Sequence, residues 1–421
     1  MSLTAHDCAA LDAADPLHAT RAQFCLDDAE VYLDGNSLGV LPVATAPRLA
    51  EAAQAEWGRG LIRSWNTAGW IDQPQRVGNK IARLVGAAGG TLIAADSTSI
   101  NLYKVLCAAA LAQSTEPGRR VILSERANFP TDLYIAESVA RQYGLTLVLI
   151  DSETIDAALA SHLNANVAIV MLTHVNYRTG RMQDMAAVTR RVQAAGALMV
   201  WDLAHSAGAV PVDLTTADAD FAVGCGYKYL NGGPGAPAFA WVNPRHAALP
   251  QPLSGWMGHA APFAFDTAYA PAPGIDRYLC GTPSVLALAA LECGVDTVLS
   301  AEALGGMQAI RAKSLALTSL FMQLMQARCA TFDFTCVTPD NPAERGSHVS
   351  YTTTLDGYAI MQALIARGVI GDFRAPDILR FGFTPLYTRY IDVWRAVDAL
   401  AAVMMQHEWR EARFQQRAAV T

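Results

Sequence analysis

The stretch Phe221-Ala-Val-Gly-Cys-Gly-Tyr-Lys-Tyr-Leu-Asn-Gly-Gly-Pro-Gly235 carries a lysine, Lys228, on a glycine-crowded turn directly after a short apolar run. The chain has only four lysines against twenty-seven arginines. Lys80, Lys104 and Lys313 lie in helix-forming stretches with no glycine cluster behind them, and read as ordinary solvated charges. Lys228 differs: Gly226 precedes it, and Gly232 to Gly235 beyond it let the backbone approach a ligand closely. Twenty-six residues upstream, Ala197-Leu-Met-Val-Trp201 ends in Asp202, followed by Leu203-Ala-His205-Ser-Ala-Gly208. Alone, Asp202 reads as a helix cap after a strand.

Outward from this pair, apolar runs alternate with helix-like segments. They are Val121–Leu123, Leu147–Ile150, Val167–Leu172, Leu198–Trp201, Phe221–Val223 and Ala238–Val242. Continuous apolar runs mean strands buried on both faces, so the expected fold is α/β with a mostly parallel sheet flanked by helices. In such sheets ligands sit beyond the carboxyl ends of the strands, where Asp202 and Lys228 fall. After about residue 290 the pattern changes to longer amphipathic helices (303–328, 358–367, 391–410) with short strands near 347–353 and 379–383. That predicts a smaller C-terminal α+β domain at 291–421, a large domain at 56–290, and an N-terminal arm at 1–55 serving the small domain and the site. The arm carries Tyr32-Leu-Asp-Gly-Asn-Ser-Leu-Gly39, and a polar and aromatic loop is expected from Arg63-Ser-Trp-Asn66 to Trp70-Ile-Asp-Gln-Pro74.

Hydrophobic content of 52% with 16% charge implies a well-buried core, and a net charge of −7 without any basic block argues against nucleic acid or an anionic membrane as partner. No apolar run approaches the roughly eighteen residues of a membrane span. The segment Met1-Ser-Leu-Thr-Ala-His-Asp-Cys8 lacks the pattern of a secretory signal, and eight cysteines without paired spacing, mostly in apolar surroundings such as Cys107 and Cys293, read as reduced core residues of a cytoplasmic protein. Nine histidines show no metal-like clustering.

An acid closing a strand and a lysine on a glycine-flanked turn are what pyridoxal phosphate chemistry requires. The lysine forms a Schiff base with the aldehyde, and the acid pairs with the pyridinium nitrogen. Other segments supply the rest of such a site. Ser97 and Thr98 precede the helical Ile100-Asn-Leu-Tyr-Lys-Val-Leu-Cys107, where they either cap a helix or also bind a phosphate. Tyr227 offers a phenol beside the lysine. Phe129, in Ser124-Glu-Arg-Ala-Asn-Phe-Pro-Thr-Asp132, reads as core or as a stacking partner for a flat ring. Arg380, in Asp377-Ile-Leu-Arg-Phe-Gly-Phe-Thr-Pro-Leu-Tyr387, is an arginine in an apolar strand that needs an anion, and a substrate α-carboxylate suits it. Arg374 is its competitor, read as a solvated charge in a loop before Pro376.

With these pieces, nearly the whole chain resembles kynureninase, a fold-type I pyridoxal phosphate enzyme of the class V aminotransferase group, which implies a large α/β domain with a mostly parallel seven-stranded sheet and a smaller α+β C-terminal domain. The motifs are Tyr32 to Gly39, Asp96-Ser-Thr-Ser-Ile-Asn-Leu-Tyr-Lys-Val105, Asn128-Phe-Pro-Thr-Asp132, Trp201 to Val210, Gly226 to Gly235, Gly255-Trp-Met-Gly258 and Arg380 to Tyr387. The resemblance implies that Lys228 is the Schiff-base lysine, Asp202 the pyridinium partner and His205 a neighbour of the cofactor. It sets Ser97, Thr98, Tyr227, Trp256 and Thr282 around the phosphate, the last two reaching in from the second subunit of a homodimer. Phe129 is then the stacking ring, Asp132 lies at the cofactor's polar edge, and Asn36, Trp65 and Arg380 meet the substrate. The implied reaction is hydrolysis of L-kynurenine, or its 3-hydroxy form, to anthranilate and L-alanine in tryptophan catabolism, with Lys228, Tyr227 and Asp202 catalytic. An aminotransferase would share the acid, lysine and arginine. A cysteine desulfurase would need a nucleophilic cysteine on a C-terminal loop, and none follows Cys336. A non-catalytic binding module would be expected to have lost one of the three.

Overall fold

The computed structural model describes residues 3–116, 118–151 and 155–418 of the 421-residue chain. Met1 and Ser2 of the N-terminal segment lie outside them. The chain then enters a helix, Ala5–Ala13, whose start is fixed chemically: Thr4 Oγ1 accepts from the Asp7 amide while the Asp7 carboxylate accepts from the Thr4 amide. A short strand, β1 (Val31–Tyr32), follows in the arm.

The large sheet is built from β2 (Leu92–Ala94), β3 (Val121–Glu125), β4 (Thr146–Ile150), β5 (Val167–Thr173), β6 (Leu198–Asp202), β7 (Phe221–Gly224) and β8 (Phe239–Val242), in the order β2-β8-β7-β6-β5-β3-β4. Strands β3 to β7 pair in parallel, and β8 alone runs against both its neighbours. All seven residues of β5 are buried, as its unbroken apolar run predicts for a strand covered on both faces. Six of the seven strands coincide with the apolar runs of the sequence. The seventh, β2, is an edge strand of three residues, too short for any period to show.

The second sheet, in the order β12-β13-β10-β9, is antiparallel and holds β9 (Thr335–Cys336), β10 (His348–Thr352), β12 (Asp372–Arg374) and β13 (Ile378–Gly382). Helices Gly306–Arg328, Gly357–Ala366 and Tyr390–Met405 pack on it around Phe321, Phe381 and Phe383. The arm is sewn to this unit. Its β1 pairs in parallel with β11 (Val369–Ile370), and the Asp12 carboxylate accepts the amides of Tyr390 and Ile391 at 2.6 and 3.0 Å. Helix Val285–Leu299 runs through the expected boundary at residue 290 and packs on helix Gln73–Leu84.

Four expectations need correction. Residues 63–74, expected as a loop, are helical at both ends, in Leu61–Arg63, Ser64–Thr67 and the start of Gln73–Leu84, and leave only 68–72 outside a helix. Arg374 lies in a strand, β12, and its guanidinium is 2.8 Å from the Asp372 carboxylate. Lys104 and Lys313 are buried rather than solvated, each paired with an aspartate, Asp96 and Asp15 respectively. Lastly, Cys25 is exposed, although all eight cysteines are free thiols.

Candidate active site

The carboxyl ends of the parallel strands converge on a recess of about 230 Å³. Thr173 ends β5 and faces Asp202, which ends β6, while β7 leads into the turn that carries Lys228. That turn is braced by the arm. The Gly39 amide donates to the Tyr227 carbonyl at 2.7 Å, and a Cβ on Gly39 would fall 2.4 Å from the Lys228 carbonyl oxygen. Only glycine permits this approach, which is the physical content of the Gly35-Asn-Ser-Leu-Gly39 motif.

Eight of the expected site residues line the recess together: Ser97, Thr98, Phe129, Asp132, Asp202, His205, Tyr227 and Lys228. Ser97 caps helix Thr98–Gln113, its Oγ accepting from the Ile100 amide at 3.4 Å, so the same end of the helix that is capped also opens into the recess. Phe129 is 42% exposed, which excludes the core reading, and stands edge-on to Tyr177 at 5.2 Å. The Lys228 ammonium lies 6.0 Å from the Phe129 ring centre and 5.7 Å from that of Tyr227. Its nearest polar neighbour is His205 Nε2, at 3.1 Å.

Burial sets the charges here. It holds the His205 imidazole well below its ordinary pKa, an effect the Lys228 cation reinforces, so His205 is neutral. Asp132 is pushed well above the carboxylate range by burial and by the facing Asp202 carboxylate. Asp202 is raised by burial as well, but the Lys228 ammonium pulls it back. Of the two carboxyls, Asp132 therefore holds its proton the more firmly, and Asp202 is the one whose charged form the Lys228 ammonium favours. Burial also raises the Tyr227 phenol, keeping it protonated.

A second recess, of about 380 Å³, shares Ser97, Thr98 and Tyr227 with the first and is walled on its far side by Cys280, Gly281 and Thr282. Thr282, expected to serve a partner subunit, lines this second recess in its own chain, together with Ser97 and Thr98. Trp256 does not. It lies in a separate hollow with Phe265 and Tyr269, its indole N–H donating to the Pro262 carbonyl. Trp65 lines neither recess; it packs edge-on to Trp70 at 6.0 Å.

Arg380 is fully buried behind Tyr177, a wall residue whose carbonyl it meets at 2.8 Å. Its guanidinium also donates to Asp372 and, at 2.8 Å, to Ser37 Oγ, while its Nε has no hydrogen-bond partner. Ser37 and Asp372 were not anticipated. Ser37 adjoins Asn36 in the arm motif, which was the available signal; Asp372 faces Arg380 across the antiparallel β12–β13 pair, and the three-residue β12 leaves no period from which that pairing could be read. Asn36 is buried with both amide atoms unpaired, and its Oδ1 would lie 1.7 Å from a Cβ on Gly382, the residue two beyond Arg380.

The donor set fits pyridoxal phosphate. A helix N-terminus with two hydroxyls suits the phosphate, a charged carboxylate suits the pyridinium nitrogen, an exposed phenyl suits the ring, and a lysine suits the aldehyde. Asp132 Oδ2, Thr173 Oγ1 and His205 Nδ1 are buried without partners on this wall, and buried polar atoms in that state call for a polar ligand.

A family model described as Kynureninase C-terminal domain matches residues 310–400. The kynureninase of Pseudomonas fluorescens is 54% identical over 422 residues, covering 99% of this chain and 100% of that one. The kynureninase of Burkholderia pseudomallei strain K96243 is likewise 54% identical over 99% of this chain and 100% of its own length. Among solved structures, the apo cysteine desulfurase of Thermococcus onnurineus NA1 superposes with a TM-score of 0.79 at 16% identity, over 92% of this chain and 98% of that one. The cysteine desulfurase CsdA of Escherichia coli gives 0.76 at 20% identity, over 93% and 98%. At such identities the likeness shows the fold alone, that of fold-type I pyridoxal phosphate enzymes. Nor does this chain place a cysteine as a desulfurase would need: Cys329 is buried at the end of helix Gly306–Arg328 and Cys336 lies in β9. By its full-length identity to the curated relatives, this chain belongs to the kynureninase family.

Proposed function

We propose that this chain hydrolyses the Cβ–Cγ bond of L-kynurenine to give anthranilate and L-alanine, using pyridoxal phosphate. One observation carries the reading: Lys228, Asp202 and the neutral His205 meet in a recess whose other end offers Ser97 and Thr98. When bound, the protonated pyridine ring supplies a sink for the electron pair left on the substrate carbon. Asp202 holds the proton on the ring nitrogen, and protonated Asp132 beside it keeps Asp202 in its charged form. Lys228 anchors the aldehyde and, once displaced by the substrate amine, moves the proton at the substrate Cα. Tyr227, whose phenol stays protonated, is the acid that delivers a proton to Cβ of the departing alanine. Incubating the purified protein with L-kynurenine should release anthranilate and alanine in equal amounts. A keto acid in place of alanine would show an aminotransferase instead.

Arg380 is assigned to the substrate carboxylate, reached past Tyr177. Truncating a buried, hydrogen-bonded charge costs roughly 2 to 5 kcal/mol, so Arg380→Ala should weaken kynurenine binding by about thirty-fold or more while cofactor affinity changes little. Arg374 shares the Asp372 carboxylate but is half-exposed, and Arg374→Ala should do less. Spectral titration of both variants decides: loss of substrate affinity in Arg374→Ala alone would reverse the assignment.

The working unit is proposed to be a homodimer. Trp256, Phe263 and Phe265 are 42%, 55% and 74% exposed and pack on one another, an apolar cluster suited to a second copy. Sedimentation at assay concentration should give a dimer; a fully active monomer would contradict this. The eight free cysteines support a reducing, cytoplasmic setting, which cell fractionation checks. Among the described residues no helix is long and apolar enough to cross a membrane.

A further inference from the structure

Lys104 is among the largest fully buried side chains of the molecule, with no exposed surface. A buried ammonium survives only where its charge and its N–H groups are matched. Here the match is made by two segments that come from distant parts of the chain. Lys104 Nζ donates to the Asp96 carboxylate and to the Tyr278 carbonyl, each at 2.5 Å.

One partner lines the second recess and the other directly precedes a segment that does. Asp96 directly precedes Ser97 and lines that recess with it, and Tyr278 stands at the head of the segment that brings Gly281 and Thr282 to the opposite side. Lys104 follows Ser97 by seven residues, two helical turns, so it lies on the same face of helix Thr98–Gln113 as the capping residue. Asn101, between them on that face, donates to the Ala95 carbonyl at 2.8 Å and fixes the strand-to-helix turn a second time. Asp96 itself has φ +49°, a left-handed conformation that a side chain adopts at a cost and keeps only where its surroundings over-determine it.

We infer that Lys104 is a positioning residue for the cofactor phosphate. Its ammonium ties the Asp96 turn to Tyr278, and so fixes the turn that presents Ser97 and Thr98 to the phosphate. This rests on the reading of Ser97 and Thr98 as the phosphate cradle. Lys104 touches neither cofactor nor substrate. Its effect is on the geometry of the groups that do.

The test compares two forms of the cofactor. The full-length protein, stripped of cofactor, is titrated with pyridoxal 5′-phosphate and with pyridoxal, which lacks the phosphate, following visible absorption. In Lys104→Met the Kd for pyridoxal 5′-phosphate should rise roughly tenfold or more, while that for pyridoxal stays within about twofold. General structural damage would weaken both alike, and that result, or no change in either, overturns the inference. Asp96→Asn, which suits the left-handed backbone and keeps a hydrogen-bond acceptor, should give a smaller shift of the same selective kind, and it serves as the readout if Lys104→Met does not fold. Ser97→Ala separates the two readings. If it leaves pyridoxal 5′-phosphate affinity intact, the phosphate cradle itself is misassigned. If it weakens that affinity and both Lys104→Met and Asp96→Asn do not, only the role of Lys104 falls.

Discussion

Lys228→Ala is expected to abolish anthranilate formation while leaving the protein folded. Two contributions vanish with one side chain: the covalent anchor for the cofactor aldehyde and the amine that moves the Cα proton. Positioned proton transfer alone is worth roughly 10² to 10⁴ in rate, and without the anchor the loss should fall below detection. The fold has little reason to suffer. Lys228 is only partly buried, and its ammonium contacts His205, a neutral ring, rather than closing a buried ion pair. Its truncation belongs to the class of changes worth about 1 kcal/mol or less in stability. Melting temperature measured beside turnover checks both halves, and an inactive variant that has also lost its cooperative transition would not support the assignment.

Asp202→Asn should give the second largest loss, roughly 10² or more in kcat, because an amide cannot hold the pyridinium proton in place. Stability should move the other way or not at all. Burial and repulsion from Asp132 both work against a charged Asp202 carboxylate, and a neutral side chain of the same shape relieves both, offset by the lost attraction of Lys228. Asp132→Asn should be milder, since Asp132 already carries its proton. Steady-state kinetics with thermal melts on both variants tests the division of roles: if Asp132→Asn proves the more damaging, the proton sits on the wrong member of the pair.

The sheet could be read from the sequence because strands covered on both faces leave unbroken apolar runs. The recess could be read because Asp202 and Lys228 lie where two such runs end. Escaping notice were features fixed by long-range partners. Lys104 looked like a surface charge, since a lysine's burial depends on what lies opposite, here a carbonyl 174 residues away. Arg374 reads as a loop residue because β12 is three residues long; Asp372 meets Arg380 across the β12–β13 pair, and Ser37 joins them only after the arm folds back onto the small sheet. The helical turns at residues 61–74 show no apolar period to betray them. Trp65 and Trp256, named by resemblance, stand outside the recess of their own chain, and a single sequence does not say which subunit a residue serves.

The central claim, that Lys228 holds the cofactor, has a direct test. Reducing the cofactor-loaded protein with borohydride fixes pyridoxal phosphate to whichever lysine binds it, and peptide mapping by mass then identifies that lysine among the four. The adduct should lie on the peptide containing Gly226-Tyr-Lys228-Tyr-Leu230. An adduct on Lys80, Lys104 or Lys313 would contradict the assignment and the chemistry built on it.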